Sequence, residues 1–89
     1  MSHSLQSMWR VGLAGDEQKE LLINSFTDRF KQCIEEKNYI LIRFDIIQGL
    51  GKLYDEIGEE EIKQKASDLI ATEEDGKYQK KYAAVWRNT

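Results

Sequence analysis

Apolar residues recur along this chain at three- and four-residue steps, the period of a helix that buries one face. Leu22, Phe26, Phe30, Cys33 and Ile34 form one such stripe and predict a helix over about 16–36. Asp16 is a suitable N-cap after Gly15, and Glu17 and Glu20 place acid where the helix dipole favours it. From Tyr39 to Ile57 the apolar positions are denser. At about 100° per residue, Ile40, Ile42, Phe44, Ile46, Ile47, Leu50, Leu53, Tyr54 and Ile57 share one broad arc. This second helix should be the most buried, with Phe44 in the middle of its core side. Asp45, Gln48, Lys52, Asp55 and Glu56 lie opposite, with Leu41 among them, and Gly58 stops the helix. A third helix over 59–72 carries Ile62, Ala66, Leu69 and Ile70, and Glu59/Lys63 and Glu61/Lys65 are spaced to pair one turn apart. After a turn at 73–76, a fourth points Tyr78, Tyr82 and Val85 inward. Leu5, Met8, Trp9, Val11 and Leu13 predict a short opening helix. No stretch alternates as a strand would, and glycines rather than prolines punctuate the stripes, so the expected fold class is all-α.

The chain also resembles itself. Trp9-Arg10 recurs as Trp86-Arg87, 77 residues later, and half that distance, 38, pairs Ile40 with Tyr78, Arg43 with Lys81, Phe44 with Tyr82 and Ile47 with Val85. At 39, Gly12 falls on Gly51. Such a period is the signature of a helical-pair repeat.

The run Ile42-Arg43-Phe44-Asp45-Ile46-Ile47-Gln48-Gly49-Leu50-Gly51 resembles the HEAT-repeat pattern, in which Val-Arg leads through small or aliphatic residues to Leu-Gly. It is closest to the short prokaryotic type also found in phycobilisome lyases, and Trp9-Arg10-Val11-Gly12 is similar to the Trp-Ala-Leu-Gly ending. The resemblance implies antiparallel helix pairs forming a short α-solenoid as one domain: 1–15 the end of a preceding repeat or a cap, 16–58 one repeat, 59–89 another. Lys81 stands where the family has arginine, Tyr39 where it has aspartate, and the turn proline is absent. An irregular helical bundle stays open as the alternative.

Composition narrows the function. The 89-residue chain has room for one domain, and a net charge of -3 offers no basic field for nucleic acid. The one cysteine cannot form an internal disulfide, and no apolar run reaches the length of a membrane span, so the expectation is a reduced, cytoplasmic protein with no membrane partner. His3 is the sole histidine, which leaves no ligand set for a metal, and no nucleophile–base or paired-carboxylate site stands out. Cys33 lies on an apolar stripe and reads as a buried structural thiol. Gly49 and Gly51 sit inside a helical pattern, which argues for close packing or a helix end rather than a phosphate loop. No catalysis and no cofactor are expected.

Arg43 falls inside the apolar arc of the second helix, where a guanidinium needs partners. By the resemblance it links neighbouring repeats through their turns, with Asp75 as its partner. The family lines its inner surface with the second helix of each pair, which makes Leu41, Asp45, Gln48 and Lys52 binding candidates and Gln79, Ala83 and Trp86 their counterparts in the last helix. The stretch 55–75 holds nine acids against two lysines, whereas 76–89 holds Lys77, Lys80, Lys81 and Arg87 and no acid. Lys80, Lys81 and Trp86 therefore join the candidate surface, and the matching partner is a protein with an acidic segment carrying an apolar residue. Trp9 and Trp86, at the two ends of a truncated stack, predict weak self-association. The resulting reading is a non-catalytic interaction or scaffold module. Part of a HEAT-type chromophore lyase is the alternative, with a HEAT-like DNA-binding module behind it.

Overall fold

The computed structural model describes residues 8–87, and all regular structure among them is helical. A 3-10 segment, Met8–Leu13, opens the chain. Four α-helices follow: α1 (Asp16–Gln32), α2 (Tyr39–Ile57), α3 (Glu60–Ala71) and α4 (Gly76–Val85). Leu5 and His3 lie outside the described residues.

The boundaries follow local chemistry. Gly15, not Asp16, is the N-cap of α1, since the Gly15 carbonyl already accepts from Lys19 N at 2.9 Å. Asp16 and Glu17 act one position later, on the dipole of the first turn. α1 is shorter than predicted because the chain tightens into a 3-10 turn at Cys33–Glu35. The tighter winding keeps Cys33 fully buried and turns Ile34 outward, to 50% exposure. Arg29 closes this corner, giving two hydrogen bonds to Glu36 at 2.5 and 2.9 Å and holding the Glu36 carboxyl below its ordinary range. α2 has the predicted limits, and Gly58 ends it in the left-handed region at φ 73°. Asp75 caps α4 by accepting from Lys77 N at 2.9 Å.

α2 is the hub: the opening 3-10 segment, α1, α3 and α4 all pack on it. The opening segment also lies against α1, and α1 against α3. α4 lies beside both α2 and α3, and its Tyr82 ring meets Phe30 of α1 edge-on at 6.2 Å. Ile46, Ile47, Leu50 and Leu53 of α2 are completely buried, together with Phe30, Ile62 and Tyr82. Phe44 is not at the centre. It is half-buried at the α2–α4 edge, 6.5 Å from Tyr82, with the Lys81 ammonium 5.4 Å from its ring centroid.

The α2 glycines are spaced for packing. A Cβ on Gly49 would stand 3.1 Å from the buried Phe26 ring, whereas one on Gly51 would make an ordinary 3.8 Å contact with Trp86. Gly51→Ala should therefore stabilise the chain by about 0.5–1 kcal/mol through helix propensity, a gain that Gly49→Ala forfeits to the rigid ring. Urea unfolding of the two variants checks this; equal gains would mean Phe26 is not seated against Gly49.

Candidate functional site

Residues 41, 45, 48 and 52 follow one another at four-, three- and four-residue steps, which stacks them on one side of α2. That side is turned away from the core. Leu41 is 61% exposed, Gln48 and Lys52 are exposed, and Asp45 is half-buried. Asp45, Gln48, Gly49 and Lys52 enclose a shallow cleft of about 180 Å³, where burial pushes the Asp45 carboxyl above its ordinary range. Lys81 borders the strip across Phe44.

Lys80 and Trp86 do not join this strip. They line a different groove, between α3 and α4, of about 450 Å³, with Lys63, Ser67, Ile70, Ala71, Gln79 and Ala83. The expected counterparts of the α2 strip, Gln79, Ala83 and Trp86, thus face the groove instead. At the 38-residue offset the fully buried Tyr82 aligns with the half-buried Phe44, whereas the buried neighbour of Phe44 in α2 is Arg43, one position earlier. One residue is about 100° of helix rotation, enough to carry a whole face from one surface to the next.

Trp86 is also held more firmly than an open anchor would be. Its indole Nε1 donates to the Ile47 carbonyl at 3.3 Å, and its rings lie 5.4 Å from Tyr54, leaving the residue half-buried. Trp9 is half-buried as well, beside Gly49, with the Arg10 guanidinium 5.5 Å from its ring centroid.

Arg43 is 6% exposed and paired, but with Glu73 rather than Asp75. Its Nη1 donates to Glu73 Oε1 at 2.9 Å, its Nε donates to the Phe30 carbonyl at 2.8 Å, and its guanidinium carbon lies 4.4 Å from the Phe30 ring centroid. The Tyr82 hydroxyl donates to Glu73 Oε1 at 3.4 Å and the Asp75 amide to Oε2 at 3.3 Å. Burial, followed by the Glu73 charge, raises the Tyr82 hydroxyl far above the ordinary phenol range. Asp75 is committed to capping α4, so the longer Glu73 turns inward and ties the α3–α4 corner to the end of α1 and the start of α2. The surroundings of this network form an open cleft of about 690 Å³ that includes Lys31, Ile34, Tyr39 and Glu74.

Besides Glu73, a second buried charged residue, Lys19, is not singled out by the sequence. Lys19 is 6% exposed and hydrogen-bonds Glu59, a contact that raises the lysine above its ordinary range and draws Glu59 to α1. Lys63, the expected partner of Glu59, lies instead over the Tyr54 ring at 6.0 Å. The signal for Lys19 was present, since 19, 22, 23 and 26 form one helical face.

No helix among the described residues is long and apolar enough to cross a membrane, and no group of three or more His, Cys, Asp or Glu among them is placed to hold a metal. Cys33 Sγ sits 3.5 Å from the Phe30 carbonyl. No protein-family model, curated protein or solved structure matches the chain.

Proposed function

We propose that the chain is a short HEAT-like stack of antiparallel helix pairs and works as a protein-interaction or scaffold module, holding a partner rather than making or breaking bonds. The observation that carries this reading is the side of α2 bearing Leu41, Asp45, Gln48 and Lys52. A helix that forms the centre of the core leaves that one continuous strip to solvent, with a large apolar residue at one end. The neighbour relations favour a stack: the opening segment rests on α1 and α2, α1 runs against α3, and α2 against α4. Arg43 joins the pairs, reaching from α2 to the α3–α4 corner.

Affinity capture with the immobilised chain tests the proposal. The wild type and an Asp28→Arg control on the exposed side of α1 should recover the same protein, and Leu41→Asp/Lys52→Glu should lose it or recover much less. Recovery of nothing specific by the wild type, or equal recovery by all three, would count against an interaction role for the strip.

A further inference from the structure

The groove between α3 and α4 has a charge the composition does not lead one to expect. Lys63 and Lys80 stand on its two walls, neither has a carboxylate partner among the described residues, and no carboxylate lines the groove. This is in a chain of net charge -3, and the α3 wall of the groove belongs to its most acidic stretch, 55–75. Asp68, adjacent to Ser67, accepts from Gln64 at 3.0 Å and does not line it. The floor is apolar, made by Ile70, Ala71, Ala83 and part of Trp86. Small residues let a helix axis approach to the close end of the usual 8–10 Å range. The chain itself shows a segment packed across a helix pair in this way, because Met8–Leu13 lies against both α1 and α2.

We infer that this groove docks an amphipathic helix of a partner protein, apolar where it meets Ile70 and Trp86 and acidic along both flanks, where its carboxylates meet Lys63 and Lys80. A second copy is a poor occupant. Its helix α3, amphipathic and acidic in its first turn, already spends Ile62, Ala66 and Leu69 on its own core, and α1 and α2 each expose a single large apolar residue, Leu21 and Leu41. The inference rests on the interaction-module reading and assigns it a second surface and a partner chemistry.

Two synthetic helical peptides, identical in their leucine face but flanked by glutamate in one and lysine in the other, provide the test with the full, isotopically labelled chain. The glutamate peptide should shift the amide resonances of Ser67, Ala71 and Ala83 and the Trp86 indole N–H, and should bind at least roughly tenfold more tightly than the lysine peptide. Its advantage should shrink as salt screens the lysines over about 8 Å at physiological ionic strength. Lys63→Glu/Lys80→Glu, at two exposed positions, should reverse the preference, and Ala83→Arg should block both peptides. Equal binding of the two peptides, shifts centred on Leu41 and Gln48, or self-association that the glutamate peptide fails to displace would each overturn the assignment. If the captured protein survives Lys63→Glu/Lys80→Glu yet is lost with Leu41→Asp/Lys52→Glu, the interaction role stands and the groove does not. If neither capture nor peptide binding occurs, the role itself fails.

Discussion

Arg43→Leu should destabilise the chain by about 3–5 kcal/mol, because it leaves the Glu73 carboxylate buried without its cation. Domains of this length have a total stability of roughly 4–13 kcal/mol, so the loss takes a large share of it. The Phe30 carbonyl loses its guanidinium donor at the same time and keeps the weak thiol contact of Cys33, and Glu73 keeps the longer hydrogen bonds from Tyr82 and the Asp75 amide. Arg43→Leu/Glu73→Leu should recover much of the deficit, since an apolar pair removes the uncompensated charge instead of exposing it. Urea unfolding of the two single variants and the double variant gives the coupling directly. A double variant as unstable as the sum of the singles would mean that Glu73 is not the partner that matters, and Asp75→Asn would then be the variant to examine for a matching loss.

Phe30→Ala is the second large effect, at about 3–5 kcal/mol. The ring is completely buried, supports Tyr82 edge-on and lies beneath the Arg43 guanidinium, so truncation opens a cavity and withdraws a wall of the ion-pair site together. Phe44→Ala, which the apolar arc of α2 alone would rank as severe, should cost only about 1–2 kcal/mol, because the half-buried ring can yield its place to Lys81 and water. Lys52→Ala should stay within about 0.5 kcal/mol of wild type. Thermal or urea unfolding that placed Phe44 above Phe30 would contradict the rotation of α2 about its axis.

The sequence carried the helices well because their signals are local. The limits of α2 follow from one dense apolar arc and from Gly58, whereas Asp75, expected as the partner of Arg43, caps α4 instead. What could not be read was the rotation of one helix against another. A 38-residue self-similarity sets neighbours along the chain but leaves α4 free to turn by a residue, and that single step moved Gln79, Ala83 and Trp86 from the expected strip into the groove. Glu73 was hidden for a related reason: among Glu73, Glu74 and Asp75 nothing in the order of residues says which side chain turns inward. Lys19 was missed differently, by treating charge as a sign of exposure when the helical face already placed it over the core.

Site-resolved photo-cross-linking tests the interaction role most directly. A photoreactive residue is introduced singly at Gln48 on the α2 strip, at Ala83 in the α3–α4 groove and at Asp28 on the exposed side of α1, and the three variants are irradiated in the source cells. A discrete protein adduct is expected from position 48 and from position 83 and none from position 28. Equal labelling at all three positions, or none at 48 and 83, would contradict the interaction role.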